Sequence, residues 1–226
     1  MGSKDTLVVL DFDGFLINSY ELLRRTFDSF GLDVGDESRF RNRRKFLKYV
    51  GGGREFLGNL VSYSLPRRKK FRAVLTEQYI DAGRIYPDFP PLINEMIRSP
   101  RIHVGIVSRN FTLKPGSTMR TVLRNSGVDE HELDFLVPLP TGADKRDVLE
   151  AMRSHRYEMS LFGADEIGDF RAADETGYSA VMASYGFDAA NRLIKKGGMP
   201  PQIVFDSPEE VAAELRRQID WRHDFR

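Results

Sequence analysis

Two kinds of hydrophobic pattern alternate along the chain. The first is a short, nearly continuous apolar run, seen at residues 7–10, 102–107, 134–139, 159–162, 179–183 and 203–205. Runs this short, rich in valine and isoleucine, predict strands buried on both faces of a sheet. The second repeats every three or four residues and predicts amphipathic helices. One such helix, over 20–30, carries Tyr20, Leu23, Phe27 and Phe30, with Asn18 and Ser19 as its N-terminal cap and Glu21 completing a capping box. Others cover 38–50, a segment opening at Arg54-Glu55 with Phe56, Leu57, Leu60 and Val61, and 71–82 with Phe71, Val74, Leu75 and Tyr79. Further on, Leu92, Ile93, Met96 and Ile97 mark a helix ended by Pro100, followed by helices over 117–125, from Lys145 to Met152, after Asp169, and over 208–219. Strands alternating with helices predict an α/β protein with a doubly wound parallel sheet. Between the first strand and Tyr86-Pro87 the pattern is helical throughout.

The polar residues that end the apolar runs carry the candidate chemistry. The first run stops at Asp11, and Asp13-Gly14 follows. Unpaired carboxylates are costly inside a hydrophobic strand, so both belong at its carboxyl end, where open α/β sheets bind ligands. Gly14 allows the backbone to turn tightly there. Ser108-Arg109-Asn110 ends the second run, Lys145 opens the helix after the third, and Asp165 with Asp169 follows the fourth. Singly, these have ordinary readings: Ser108 as a turn residue, Lys145 as a solvated helix start, Asp165 and Asp169 as helix caps. In parallel strands, however, all of these ends lie on one edge of the sheet and converge.

Composition narrows the choice. The chain has 226 residues, 41% of them hydrophobic and 11% aromatic, enough for a core domain with a smaller inserted one. It has no cysteine, which excludes disulfides, zinc-thiolate sites and a thiol nucleophile. No apolar run approaches bilayer length and the N-terminus lacks a signal-peptide pattern, so a soluble, cytoplasmic protein is expected, with no membrane partner. The net charge of +1 is uneven: residues 18–85 hold 15 basic against 8 acidic residues, +7, which leaves −6 elsewhere. That asymmetry suits two units with different tasks, a basic one attracting anions. His103, His131, His155 and His223 have no ligand-like spacing and are read as structural.

The segment Asp11-Phe12-Asp13-Gly14-Phe15-Leu16, followed in order by Ser108, Lys145 and Asp165 with Asp169, resembles the four motifs of the haloacid dehalogenase-like hydrolases. The likeness is nearest to the phosphoglycolate phosphatase and β-phosphoglucomutase-like members. It spans nearly the whole chain, including Tyr86-Pro87 and the Ala172-Ala173 to Gly177 run. It implies a Rossmann-like core, residues 1–17 and 86–226, with a helical cap over 18–85. It also implies an Mg²⁺-dependent phosphatase that hydrolyses a small phosphorylated metabolite through an aspartyl-phosphate. Asp11 would be the nucleophile and Asp13 the general acid and base. Ser108 and the backbone amide of Arg109 would hold phosphoryl oxygens, Gly14 and Asn110 would also contact the substrate, and Lys145 would neutralise Asp11 and the transferring group. Asp11, the Asp13 carbonyl, Asp165 and Asp169 would hold the metal, an all-oxygen site that suits Mg²⁺. Within the cap, Gly51-Gly52-Gly53-Arg54-Glu55 is similar to a mutase cap loop, making Arg54 the candidate for a second anionic group on the substrate. The mutases carry a histidine where this chain has Leu23, which lowers the phosphomutase reading. A catalytically weak phospho-ligand-binding relative is a further alternative, and a nucleic-acid partner is not expected. The expected assembly is a monomer or dimer. Phe15 and Ala164 depart from the usual motif residues without removing a reactive group.

Overall fold

The computed structural model describes residues 5–31, 37–38, 41, 65–140, 142–153 and 157–220. The helix expected at 54–61, most of the one at 38–50, the 51–53 glycine loop, Arg54, His155 and His223 lie outside them.

The first strand, β1 (Asp5–Leu10), buries both faces. Leu7 and Val9 point into a layer with Leu149, Phe162, Ala172 and Leu193, while Val8 and Leu10 point into the opposite one with Ile93, Met96, Val104, Val211 and Leu215. Successive side chains of a strand alternate between faces, so a centrally placed strand must be apolar at every position. Its neighbours are β2 (Ile102–Ser108) and β4 (Tyr157–Ala164), with β3 (Phe135–Pro138), β5 (Ser179–Ala183) and β6 (Val204–Phe205) completing the sheet. All pairings are parallel, in the order β3-β2-β1-β4-β5-β6. The protein is thus α/β, with a Rossmann-like doubly wound sheet. The chain fills one side of β1 first and then returns to its other side at β4. The carboxyl ends of β1 and β4 therefore flank the point where strand order reverses, the usual ligand crevice of such sheets.

The helices of the described residues are α1 (Ser19–Asp28), α2 (Leu65–Ala82), α3 (Phe89–Arg98), α4 (Pro115–Asn125), α5 (Lys145–Met152), α6 (Ile167–Thr176), α7 (Ala190–Lys195) and α8 (Pro208–Asp220). α3, α4 and α8 supply Ile93, Met119, Val122 and Leu215 to one layer, and α5, α6 and α7 supply Leu149, Ala173 and Leu193 to the other. Asn18 caps α1, its side chain accepting the Glu21 N–H at 3.1 Å, as expected. Ser19 is turned elsewhere, towards the site below.

Three differences from the sequence reading have local causes. α2 starts at Leu65, so Pro66 occupies its first turn, where a missing N–H costs nothing, and the basic run 67–70 lies within the helix. β4 starts at Tyr157 rather than Met159: Tyr157 pairs with Asp5 of β1, but with Tyr157 half-buried and Glu158 exposed the strand's first residues form no apolar run. α7 was not expected: Leu193 is its one buried residue, too little for a periodic signal.

α1 packs on α2 through Phe27, and the turn after it through Phe30, both against Phe71, with ring centroids 4.7 and 5.7 Å apart. Where the chain leaves β1 for this segment and where it comes back, Ile17 and Ile85 pair in an antiparallel bridge, and the Tyr86 N–H donates to the Leu16 carbonyl at 2.9 Å. α2 is also tied to the loop after β2. Arg72 donates to the Phe111 and Thr112 carbonyls at 3.1 and 2.5 Å, and Thr76 Oγ1 accepts the Leu113 N–H at 2.9 Å.

Phe15, the departure noted in the first motif, fills the space over β4. Its ring lies 5.4 Å from that of Phe89, and a methyl group on Gly163 would stand 2.4 Å from its Cζ and 3.2 Å from Leu10 Cδ2. Phe15 in this packing thus demands glycine at 163. Gly163→Ala is expected to lower stability by about 1–3 kcal/mol through overpacking, read as a fall in the denaturant midpoint at unchanged slope.

Candidate active site

β1 delivers Asp11 to the crevice directly: the strand ends at Leu10, and the Asp11 N–H donates to the Gly163 carbonyl of β4 at 2.8 Å. One Asp11 oxygen accepts the Phe12 N–H at 2.7 Å, and the other meets Lys145 Nζ at 2.6 Å. Lys145 is the first residue of α5, capped by Asp144, whose side chain accepts the Arg146 N–H. Its ammonium also meets Asp169 Oδ2, in the first turn of α6, at 2.9 Å. A fully buried lysine is tolerated only with such partners. Burial alone would push its pKa down; Asp11 and Asp169 reverse this and hold it above the ordinary lysine value.

Asp165 follows directly on β4 and has no exposed surface. Its Oδ2 accepts the Phe187 N–H at 2.6 Å, while Oδ1 is buried with no hydrogen-bond partner among the described residues. Burial, followed by the negative charges of Asp11 and Glu166, drives this carboxyl well above the usual range, with Phe187 opposing. Asp169 is also raised, chiefly by burial and despite Lys145. Ligand oxygens of Asp11, Asp165 and Asp169 lie within 4.8 Å of one another. An orphaned buried carboxylate oxygen within an all-oxygen set of three is a cation's environment, and it fits a hard divalent ion such as Mg²⁺. Two backbone approaches define the walls. A Cβ on Gly14, whose φ is +82°, would fall 2.2 Å from Asp165 Oδ2, and one on Gly186 would fall 2.3 Å away. Only glycine leaves room for that carboxylate.

Asp13 is more heavily bonded than any reading of the sequence indicates. Oδ1 accepts the Ser19 hydroxyl at 2.8 Å and the Tyr79 hydroxyl at 2.6 Å, and Oδ2 accepts Asn110 Nδ2 at 3.0 Å, with Ser108 Oγ at 3.5 Å. Burial raises its pKa, while the Tyr79, Ser19 and Asn110 donors and the charge of Lys145 work against that rise. Asn110 is itself aligned by the Thr112 N–H, which donates to its Oδ1 at 3.1 Å. Ser108 Oγ accepts the Asp13 N–H at 3.4 Å. The Arg109 side chain, half-buried, pairs with Glu166 and Asp169, each at 2.9 Å. Asp169 therefore has Lys145 on one oxygen and Arg109 on the other.

The expected residues Asp11, Asp13, Gly14, Ser108, Arg109, Asn110, Lys145, Asp165 and Asp169 thus share the carboxyl edge of the sheet, at the strand-order reversal. Arg54, expected as the cap's substrate residue, lies outside the described residues. Tyr79, Ser19 and the Gly186-Phe187 backbone were missed. A signal existed for Tyr79, since a tyrosine inside a stripe of Phe, Val and Leu must find a partner for its hydroxyl once buried. None existed for Phe187, which contributes only a backbone N–H.

The fold is shared with solved structures of haloacid dehalogenase-like proteins. A haloacid dehalogenase-like hydrolase from Streptococcus pneumoniae aligns with a TM-score of 0.64 at 20% identity, covering 93% of this chain and 98% of that one. A predicted phosphatase from Clostridium acetobutylicum aligns at 0.63 and 19% identity, over 95% and 100% of the two chains. A candidate β-phosphoglucomutase from Thermotoga maritima aligns at 0.65 and 18% identity, over 94% and 99%. No protein-family model and no curated protein matches the chain. At these identities the likeness shows a shared fold. Among the described residues no helix is long and apolar enough to cross a membrane.

Proposed function

We propose that this protein is a Mg²⁺-dependent phosphatase acting on a small phosphorylated metabolite through an aspartyl-phosphate on Asp11. The observation that carries the reading is the buried Lys145 ammonium between Asp11 and Asp169, beside the unpartnered Asp165 oxygen and across from Asp13. Three carboxylates gathered at one strand edge need positive charge, and a phosphate ester brings more negative charge. Mg²⁺ held by Asp11, Asp165 and the Asp13 carbonyl, with Asp169, would supply the positive field that lets the carboxylate and the phosphoryl group approach.

This chain's residues account for the rest. An Asp11 oxygen attacks phosphorus, forming one O–P bond as the bond to the leaving oxygen breaks, and Asp13 gives that oxygen a proton. Water then attacks the phosphoryl group, gives its proton to Asp13 and frees Asp11. Ser108, whose hydroxyl donates only over a long 3.5 Å contact to Asp13 Oδ2, is available to donate to a phosphoryl oxygen. The backbone amides beside it serve the same group, and Lys145 holds the Asp11 charge throughout. Residues 18–85 would form the cap that encloses the substrate, with Arg54 on a second anionic group. A phosphomutase is the weaker reading: Leu23, in the position of the mutases' histidine, is a buried apolar residue. Phosphate release from a panel of phosphate esters, with Mg²⁺ and with chelator, tests the proposal; no metal-dependent release from any ester would overturn it.

Metal binding should also show in stability. At 100 times Kd, Mg²⁺ is expected to add about 2.7 kcal/mol, a rise in Tm of about 5–10 °C. The sign with pH follows from the raised carboxyl groups. In the metal-free protein, folded Asp165 and Asp169 hold protons above the ordinary value of 3.8, so stability falls as pH rises from there through their raised values. Mg²⁺ must displace those protons. The Mg²⁺-induced shift in Tm should therefore be larger at pH 7.5 than at pH 5, as thermal melts would show.

A further inference from the structure

Asp13 has two oxygens in unlike surroundings. Oδ1 receives two hydroxyl groups, Ser19 at 2.8 Å from the start of α1 and Tyr79 at 2.6 Å from α2. Oδ2 receives a single close donor, Asn110 Nδ2 at 3.0 Å, and Ser108 Oγ stands at 3.5 Å. A carboxylate oxygen offers about two good acceptor directions, so Oδ1 is filled and Oδ2 keeps room for another hydrogen bond. Tyr79 cannot easily shift. Its side chain is 3% exposed, and its helix is fastened to the loop that carries Asn110 by Arg72 on the Phe111 and Thr112 carbonyls and by Thr76 on the Leu113 N–H. One helix therefore fixes both the donor to Oδ1 and the segment that supplies the donor to Oδ2.

From this geometry we infer that Tyr79 is a positioning residue that commits Asp13 to proton transfer through Oδ2. The inference rests on the phosphatase reading, in which Asp13 protonates the leaving oxygen. Losing the Tyr79 hydroxyl leaves Oδ1 with Ser19 alone and frees the carboxyl group to rotate. The proton then arrives misaligned, while Asp11 and its Lys145 partner are untouched.

The test is the rate of leaving-group release by Tyr79→Phe, in single-turnover and steady-state experiments with Mg²⁺ present, from two substrates, an alkyl phosphate and p-nitrophenyl phosphate. An alkoxide leaving group needs a proton; p-nitrophenolate does not. Loss of one hydrogen bond to a charged group predicts about a tenfold slower release from the alkyl ester. Release from the nitrophenyl ester, and KM for both, should hold near the values of the unaltered protein. Adding Tyr79→Phe to Asp13→Asn should slow alkyl release no further. A merely structural role would slow both esters alike, and that result, or additive losses in the double variant, would overturn the inference. If the phenylalanine variant does not fold, Ser19→Ala removes the other Oδ1 donor; the same selective loss is expected, and equal slowing of the two esters overturns the idea. Absence of turnover in the unaltered protein would instead remove the phosphatase reading beneath it.

Discussion

Asp11→Asn is expected to cut metal-dependent phosphate release by at least about 10⁴-fold, because an amide cannot form the acyl phosphate and the remaining groups do not replace a nucleophile. The fold should persist. Asparagine keeps the shape of Asp11 and can still accept the Phe12 N–H, and Lys145 retains Asp169. Removing the Asp11 charge also relieves Asp165 and Asp169, whose carboxyl groups it pushes up. A thermal melt close to that of the unaltered protein, together with a lost acid-stable phosphoenzyme, is the expected pair of results. Residual turnover within about tenfold would mean that another group attacks phosphorus.

Lys145→Met should damage both activity and stability. The ammonium sits between Asp11 and Asp169 at 2.6 and 2.9 Å, and all three side chains are almost wholly buried. Methionine fills similar space and leaves two carboxylates without their shared cation. Removing one partner of such a buried set costs about 3–5 kcal/mol. The direction with pH is fixed by the raised lysine value: the contribution is fully present below the unfolded 10.5 and fades only as pH rises through the higher folded value. At neutral pH the whole loss should therefore appear, as a lower denaturant midpoint. Acidification should shrink the difference between the two proteins as Asp169, whose carboxyl group burial pushes up, is protonated. A difference that is constant from pH 4 to 8 would show that packing, rather than charge, is what Lys145 contributes. Phosphate release should fall by about 10²–10³-fold or more, the scale set by losing one preorganised charge-stabilising group.

The sequence by itself determined the strands and the edge on which the chemistry sits. Apolar runs such as residues 7–10 and 159–162 are local signals, and a carboxylate that interrupts one can only lie at its end. The order of motifs along the chain therefore places Asp11, Asp13, Ser108, Lys145, Asp165 and Asp169 in one candidate site. Only the tertiary structure decided who holds whom. That Lys145 bridges Asp11 and Asp169, that Arg109 turns onto Glu166 and Asp169, and that Asp165 keeps one oxygen orphaned all depend on which strands are neighbours. Tyr79 and Ser19 belong to helical patterns that predict burial or capping equally well wherever the helix packs. Their hydroxyl groups became part of the site because the segment returns beside Ile17, placing α2 against the loop after β2. Hydrophobic periodicity is a property of neighbours along the chain, whereas a hydrogen bond between residues as far apart as Tyr79 and Asp13 exists only once the sheet order and the long connection have closed around them.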